Sequence, residues 1–247
     1  MLKEIFERFF IIHKCGGCGE ILPYELRNEA LCQSCALAVR IAKTESCSKC
    51  SQSVSECACM PRGLEKAGAL CLRKLYFYRA EKGRAVPNRL LLYLKREPNK
   101  RVAHFVAGEL WEVIERELTE IGVTAENMCL VSIPRGRKAH REYGFDQAAL
   151  VCRHMSEISG VPYLPVIGRV RRAVEQKKLD RGKRFRNVES LFMLKETGPL
   201  RGKYVILYDD VVTTGASMAA CVKLLSGTGV SGVFCISLAQ VPENSVK

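Results

Sequence analysis

The sequence predicts an α/β fold in which a mostly parallel central sheet is flanked by helices, with a small cysteine-rich module at the N-terminus. After residue 60, short apolar runs alternate with stretches of helical periodicity, and this alternation is typical of parallel sheets. Eight of the 13 cysteines lie before residue 60. The chain has 247 residues, of which 47% are hydrophobic and 26% charged, so it can bury a full core.

Composition divides the chain into two predicted domains. Residues 1–60 form the cysteine-rich module and residues 61–247 the main domain, with Pro61-Arg62-Gly63 as the boundary. A module of about 60 residues is too small to depend on its own core, so we expect bound metal to hold it together. Residues 1–15 are expected to form an amphipathic helix, because their apolar stretch is too short for a secretory signal.

The spacing of the cysteines predicts structural zinc. Close pairs in a reducing compartment indicate metal more than disulfides. Eight cysteines in four pairs are the candidate ligands: Cys15, Cys18, Cys32, Cys35, Cys47, Cys50, Cys57 and Cys59. The first four form two C-x2-C pairs, which suit tetrahedral Zn²⁺, and the last four predict a second site although their final pair is C-x-C. One or two ions, and pairing between the two sets, stay open at this point.

The other five cysteines are scattered among apolar neighbours: Cys71, Cys129, Cys152, Cys221 and Cys235. Such cysteines behave as small hydrophobic residues, and we expect them in the core. No apolar run reaches the roughly 20 residues that span a bilayer, so we expect a cytoplasmic protein without membrane insertion.

Local patterns place the elements of the main domain in order. Helices are predicted at Arg89–Arg96, at Val102–Leu118 with an end at Gly122, from an Asp146 N-cap to Ile158 with a stop at Gly160, and at Ser217–Leu225. Strands are predicted at Cys129–Ile133, Tyr163–Ile167 (an edge strand), Ser190–Leu194, Tyr204–Tyr208 and Val230–Leu238.

Positive charge is concentrated in one part of the chain. The net charge is +13, and residues 131–203 hold 17 basic and seven acidic residues. Within Arg169–Asn187 there are nine basic residues against two acidic ones. This stretch is suited to a polyanion, either a nucleic acid or a phosphorylated small molecule. The alternative is a solvated basic loop that binds nothing.

The stretch Tyr204–Ser217 carries the clearest candidate site. An apolar strand is predicted to end in Asp209 and Asp210, followed by a Thr-Thr-Gly-Ala-Ser turn and a helix start. Ligands of parallel sheets bind beyond the carboxyl ends of strands, and a helix N-terminus favours a phosphate. The two carboxylates could accept hydrogen bonds from ribose hydroxyls or help to organise Mg²⁺. The predicted site therefore suits a sugar phosphate.

This stretch resembles the phosphoribosyl pyrophosphate (PRPP) motif of type I phosphoribosyltransferases. Further segments are similar to one branch of that superfamily, the ComF competence-protein family. They are the cysteine pairs, Tyr76–Arg96, Val131–Pro134 with Arg141–Gln147, and the series Gln176, Leu179, Arg184, Asn187 and Phe192. The chain departs from the family pattern at Tyr143 (usually Arg), Asp146 (usually Asn), Tyr208 (usually smaller) and the C-x-C pair. The resemblance spans nearly the whole chain in the same order.

The resemblance implies a type I phosphoribosyltransferase fold with a small hood, and a set of site residues. Asp209 and Asp210 would be catalytic and hold the ribose hydroxyls of PRPP, with Mg²⁺ bound alongside. The rest of the PRPP site would be Val211, Val212, Thr213, Thr214, Gly215, Ala216 and Ser217, with Arg135 and Arg137 facing the pyrophosphate. Contacts to nucleic acid or to an acceptor would come from Arg141, Gln176, Lys183, Arg184 and Asn187. Phe185 or Tyr143 could stack on a base.

Three functions fit these expectations. The first is a PRPP-binding protein of DNA uptake that handles single-stranded DNA in the cytoplasm, together with other competence proteins. The second is a metabolic phosphoribosyltransferase, in which an unidentified acceptor displaces pyrophosphate. The third is a non-catalytic adaptor that keeps the fold as a scaffold. The sequence does not decide whether the protein is an enzyme.

Overall fold

The computed structural model describes residues 12–79, 85–170, 191–195 and 197–242. Its helices are α1 (Gln33–Lys43), α2 (Arg62–Lys66), α3 (Val86–Arg96), α4 (Lys100–Glu120), α5 (Arg137–Tyr143), α6 (Gln147–Ser159) and α7 (Ala216–Ser226). Its strands are β1 (Cys71–Phe77), β2 (Met128–Ser132), β3 (Ile167–Arg169), β4 (Phe192–Leu194), β5 (Tyr204–Val212) and β6 (Gly232–Gln240). Short 3₁₀ turns occupy Tyr24–Leu26, Ala125–Asn127 and Gly198–Leu200.

The central sheet has four strands in the order β1-β6-β5-β2, and every pair in it is parallel. Val131 of β2 lies opposite Leu207 of β5, which in turn lies opposite Cys235 of β6. Because all four strands run the same way, their carboxyl ends share one edge. The predicted α/β class with a parallel central sheet is confirmed.

Two cores cover the two faces of this sheet. Helices α4 and α6 pack on one face, where Leu110 and Met155 are fully buried with Ile206. Helix α7 packs on the other face, where Val222 is buried with Leu207. Successive strand residues point to opposite faces, so neighbours on β5 alternate between the two cores. We call these the α4–α6 face and the α7 face.

Helix ends agree with the local patterns in the sequence. The Asp146 carboxylate accepts hydrogen bonds from the amides of Ala148 and Ala149 and so caps α6, which ends at Gly160 with φ 73°. Gly122 has φ 69° two residues after the end of α4. Caps and glycine stops are short-range features, so sequence alone predicts them well.

Two predicted strands need correction. Strand β5 does not end at Tyr208 but continues to Val212, because its pairing with β6 extends to Gln240. Tyr163 forms only an isolated bridge with Leu130, whereas the nearby strand is Ile167–Arg169. That strand, β3, pairs antiparallel with β4 in a separate two-stranded sheet.

Some predictions lie outside the described residues. These are most of the N-terminal helix, Ser190 at the start of a predicted strand, residues 171–187 of the basic stretch, the stacking candidate Phe185, and the candidate contacts Gln176, Lys183, Arg184 and Asn187. The five scattered cysteines are all described and all buried, as predicted. Within the described parts of the chain, none of the helices has both the length and the apolar character that a bilayer crossing requires.

Candidate functional site

A concavity lies at the carboxyl end of β5. It has a volume of about 170 Å³. Its described lining residues are Asp209, Val211, Val212, Thr213, Thr214, Gly215, Ala216, Ser217 and Met218. Eight of these nine residues belong to the PRPP-binding set that the sequence predicts. The chain therefore folds the predicted strand-to-helix turn into one hollow at the ligand-binding edge of the sheet.

The turn before α7 is built around Gly215, the N-cap residue of that helix. Gly215 caps the helix in the left-handed region with φ 74°, and the described structure has no side-chain cap hydrogen bond there. A Cβ on Gly215 would lie 3.1 Å from Cγ of Pro61, so this position combines an unusual φ with a close contact. The Ala216 amide is 3.4 Å from Oγ1 of Thr214. Amides at the start of a helix attract anions, which suits a phosphate in this hollow.

Asp209 and Asp210 lie within β5 rather than after it, and they point to opposite faces of the sheet. Asp210 is already bound by protein groups on the α4–α6 face. Lys95 Nζ lies 3.3 Å from its Oδ2, and Gln147 Nε2 donates to the same oxygen at 2.8 Å. Asp209 points to the α7 face and lines the concavity, where its Oδ1 accepts the Asp210 amide at 2.9 Å.

The electrostatics of Asp209 follow from this placement. Burial, reinforced by the neighbouring Asp210 carboxylate, raises the pKa of Asp209 well above its ordinary value. The Asp210 amide and the cations of Lys95 and Arg169 act in the opposite direction but do not outweigh burial. Burial and the neighbouring charge thus disfavour the ionised form of Asp209, and a ligand that supplies hydrogen-bond donors would stabilise that form.

Of the basic residues predicted to face pyrophosphate, the structure places Arg135 and Arg137 beside this edge but outside the lining of the concavity described above. The loop after β2 contacts β5, where the Ile133 amide donates to the Tyr208 carbonyl at 3.0 Å. The Arg135 guanidinium stacks over the Tyr143 ring at 4.5 Å. Arg137 is exposed at the start of α5.

Sequence reasoning missed three residues of this site: Lys95, Gln147 and Arg169. Arg169 ends β3, bonds through Nε to the Pro134 carbonyl at 2.9 Å and acts electrostatically on Asp209. Lys95 and Gln147 lie within segments that carry the family resemblance, and this was the signal in the sequence that could have identified them as site residues. Their partner Asp210 is more than 60 residues away in sequence, so no local pattern identifies the contact.

The eight N-terminal cysteines form two clusters. The first cysteine cluster contains Cys15, Cys18, Cys32 and Cys35, and the second contains Cys47, Cys50, Cys57 and Cys59. Within each cluster the sulfur atoms lie within 4.8 Å of one another. Each predicted set therefore comes together in sequence order, including the set with the shortened C-x-C pair.

Both clusters fit tetrahedral zinc. Sulfurs about 2.3 Å from a tetrahedral ion lie about 3.8 Å apart, and the Cys18 and Cys32 sulfurs are 3.9 Å apart. Burial opposes ionisation of Cys15, but backbone donors outweigh it and lower the pKa of this thiol to about 7. The same balance lowers the pKa of Cys47 to about 7. Burial, with the neighbouring thiols, raises the pKa of Cys18, Cys35, Cys57 and Cys59. Thiolates are the form that binds metal, so the backbone prepares one ligand in each cluster.

Comparison with known proteins adds sequence relatives. The chain is 27% identical over 222 residues to the DNA utilization protein YhgH of Salmonella typhimurium, covering 87% of this chain and 93% of that protein. It is 31% identical to YhgH of Escherichia coli K12 over 42% of this chain and 45% of that one. Competence protein F of Haemophilus influenzae is 34% identical, with 39% of this chain and 43% of that protein covered.

The chain is thus similar to a DNA utilization protein and to a competence protein F. The resemblance that its motifs predict is thereby confirmed. The matches to the Escherichia coli and Haemophilus influenzae proteins span about half the length of those relatives. No family model matches the chain.

Solved structures similar to the chain are phosphoribosyltransferases. Adenine phosphoribosyltransferase from Leishmania tarentolae has a TM-score of 0.36 and 14% identity, over 60% of this chain and 74% of that one. HGPRT-ase from the same organism, in complex with GMP, has a TM-score of 0.36 and 11% identity, over 60% and 71%.

Proposed function

We propose that this protein binds PRPP at the carboxyl end of β5 and acts in DNA utilization, handling single-stranded DNA in the cytoplasm. One observation carries the proposal: Asp209 and the turn at residues 211–217 line a single hollow of about 170 Å³. The hollow is lined by the acidic residue Asp209 and by the residues at which α7 begins. A pentose with a 5′-phosphate has the matching donors and anion.

Each part of the site has a proposed role. Thr213, Thr214, Gly215 and Ser217 hold the 5′-phosphate through hydroxyls and amides, and Asp209 accepts hydrogen bonds from the ribose hydroxyls. Arg135 and Arg137 contribute positive charge at the same edge of the sheet, which favours the pyrophosphate. Mg²⁺, when bound with PRPP, would neutralise the pyrophosphate oxygens. The protein's own contribution is to orient the sugar and to balance charge.

The same geometry accommodates transfer of phosphoribose to an acceptor. An acceptor nucleophile would form a bond to C1′ while the bond from C1′ to pyrophosphate breaks, and the pyrophosphate would leave with the bonding pair. Arg169 lies on the Asp209 side of the sheet and acts electrostatically on that carboxyl. Its charge would also stabilise the departing pyrophosphate.

A second candidate function is binding of PRPP without transfer. It is favoured by the state of Asp210, whose Oδ2 is already bound to Lys95 and Gln147. A carboxylate that the protein itself neutralises contributes less to the ligand. In this case the bound sugar phosphate would control the adaptor's interaction with DNA or with other competence proteins.

Single-stranded DNA is proposed as a partner because basic and aromatic groups lie together beside the site. Arg137 and Arg141 are exposed on α5. The Arg135 guanidinium lies 4.5 Å from the centre of the Tyr143 ring and 5.7 Å from that of Phe145. Cations that follow the backbone and aromatic rings that stack on bases are the two parts of a single-strand site. The basic stretch of residues 169–187, of which 171–187 lie outside the described residues, is proposed as a further contact to the phosphates because of its charge.

Thermal shift tests PRPP binding. PRPP with Mg²⁺ at 100 times its dissociation constant should stabilise the protein by about 2.7 kcal/mol. Ribose 5-phosphate should give a smaller shift than PRPP, and ATP should give none. No shift with PRPP at millimolar concentration would remove the proposal. Release of pyrophosphate in the presence of a candidate acceptor separates transfer from binding alone.

Salt dependence tests DNA binding. Affinity for an oligonucleotide should fall linearly with salt on logarithmic axes, with a slope near −0.7 for each phosphate contact. Arg137→Ala with Arg141→Ala should make the slope about 1.4 less steep. Arg116→Ala, an exposed arginine on α4, is the matched control and should leave it unchanged. Binding that does not respond to salt would exclude this part of the proposal.

We also propose the domain boundary near residue 60, and structural zinc in both cysteine clusters. Thiolate ligation needs reduced cysteines, and this requirement is the physical reason for placing the protein in the cytoplasm. Four sulfurs fill the tetrahedral positions, so neither ion would activate water.

A further inference from the structure

A buried lysine joins the second cysteine cluster to the central sheet. Lys74 lies on β1 and is 0% exposed. Its Nζ donates to the carbonyls of Cys57 and Cys59 at 2.9 and 2.8 Å, and to the Cys57 sulfur at 3.2 Å. All three ammonium protons thus have acceptors in the second cluster. A lysine is almost never fully buried unless it is paired, and the acceptors of the second cluster are what allow Lys74 to be buried.

The Cys47 sulfur of the second cluster also accepts the Lys49 amide at 3.5 Å, and the first cysteine cluster has backbone contacts of the same kind. Its Cys15 sulfur accepts the amides of Gly17 and Cys32 at 3.4 and 3.2 Å. A Cβ on Gly17 would lie 2.8 Å from the Cys35 sulfur, so the backbone at Gly17 packs directly against this cluster. Four thiolates around a divalent ion leave a charge of −2, which must be compensated when buried. The second cluster receives this compensation from a side chain of the main domain.

The second cluster also lies next to the candidate ligand site along the chain. Cys59 is followed by Met60 and by Pro61, which begins α2. The Pro61 ring lies against Gly215, with 3.1 Å between its Cγ and the position of a Cβ on that glycine. Leu64 of α2 is 0% exposed and belongs to the core of the α7 face. A short path along the chain, buried at Pro61, therefore connects Lys74, the second cluster and the turn before α7.

We propose that Lys74 is a positioning residue that holds the second cysteine cluster on β1, so that the zinc-loaded cluster fixes Pro61 against Gly215. The second zinc is thereby a support of the phosphate turn, whereas the first zinc stabilises the N-terminal module. The proposal rests on zinc in the second cluster and not on PRPP. Its readouts are zinc content and backbone exchange, so its failure and failure of PRPP binding are distinguishable.

Zinc retention tests the role of Lys74. Lys74→Met keeps the length of the side chain and removes the ammonium. The control for loss of one positive charge is Lys66→Met, at an exposed lysine of α2. Zinc release to a chromogenic chelator should show two equal phases in the wild-type protein. In Lys74→Met one phase should become at least tenfold faster and the other should not change. Release from Lys74→Met that matches Lys66→Met would overturn the proposal.

A second experiment does not depend on the folding of Lys74→Met. Cys50 is the exposed ligand of the second cluster, so Cys50→Ser removes that zinc with little loss of packing. Hydrogen exchange with mass spectrometry then compares this variant with the zinc-loaded wild type. Peptides covering residues 57–63 and 211–218 should both exchange at least tenfold faster, while α4 stays protected. Unchanged exchange at residues 211–218 would contradict the coupling.

Discussion

The two faces of the central sheet surround neighbouring carboxylates with different chemistry. On the α4–α6 face, Asp210 is bound by Lys95 and Gln147 through contacts of 3.3 and 2.8 Å. On the α7 face, Asp209 lines the concavity, and burial raises its pKa. The two residues have the same side chain and adjacent positions on one strand, so the difference comes from what the fold packs around each.

This difference indicates that Asp209, rather than Asp210, is the carboxylate suited to binding a ligand. Asp210 already has two protein partners before any ligand arrives, and these contacts join the edge of β5 to α3 and α6. Asp209 is held in a less favourable environment, which a donor-rich ligand would relieve. The resemblance to phosphoribosyltransferases implies equal roles for both acids, whereas the structure favours unequal ones.

The largest expected effect is on ligand affinity. Asp209→Asn should weaken binding of PRPP with Mg²⁺ about 100-fold, because the donors of the ligand would favour the ionised form of Asp209 and hydrogen bonds to a charged group contribute about 1.5–3 kcal/mol each. Asp210→Asn should weaken it about fivefold, since two protein groups already occupy Oδ2. Calorimetric titration of both variants measures the ratio. Equal losses would show that the two faces do not differ in function.

The stability of the ligand-free protein should depend on pH through Asp209. Because its pKa is raised on folding, the folded state holds a proton that the unfolded state has lost. Stability therefore falls as the pH rises above about 4 and keeps falling until the raised pKa is passed. Asp209→Asn should melt at a higher temperature than wild type at pH 7, and the gap should close at low pH. A lower melting temperature for this variant at pH 7 would contradict the environment described here.

Loss of the Lys95 ion pair should have a moderate effect. Lys95→Met leaves the Asp210 carboxylate with Gln147 as its side-chain donor among the described contacts. The Lys95 side chain is 33% exposed, so the cost should be about 1 kcal/mol, or about 2–4 °C in melting temperature. Lys66→Met is the control for a surface lysine, and an equal shift in both variants would remove any special role for the pair.

The smallest effect is expected at Gln147. This residue donates to Asp210, but its Oε1 is buried without a partner among the described residues. Gln147→Leu removes one hydrogen bond and one unsatisfied acceptor together, so stability should change by only about 0.5 kcal/mol. Urea unfolding measures the difference. A loss above about 2 kcal/mol would mean that Gln147 has an acceptor role that these contacts do not contain.

Much of the main domain was predictable because its determinants are local. The Asp146 cap, the Gly160 stop and the apolar run of β2 each depend on a few adjacent residues. The spacing of the cysteines identified the eight candidate ligands, but it left their pairing between the two sets open, and the structure supplies that grouping. The turn before α7 was predictable from its Thr-Thr-Gly-Ala-Ser composition together with the strand that precedes it.

The rest depends on contacts between distant segments. Strand β1 was missed because Arg73 and Lys74 interrupt its apolar run, and only the structure shows that Lys74 is buried against the second cysteine cluster. The length of β5 depends on its register with β6 and not on its own hydropathy. The unequal environments of Asp209 and Asp210 depend on α3 and α6 meeting β5, which no local pattern contains.

The central claim is that Asp209 and the turn before α7 form a PRPP site. Calorimetric titration of the zinc-loaded protein with PRPP and Mg²⁺ tests it most directly. The account predicts saturable binding of one PRPP per chain, competition by ribose 5-phosphate, and loss of the signal in Asp209→Asn. Absence of binding at millimolar PRPP, or equal affinity in wild type and Asp209→Asn, would contradict it.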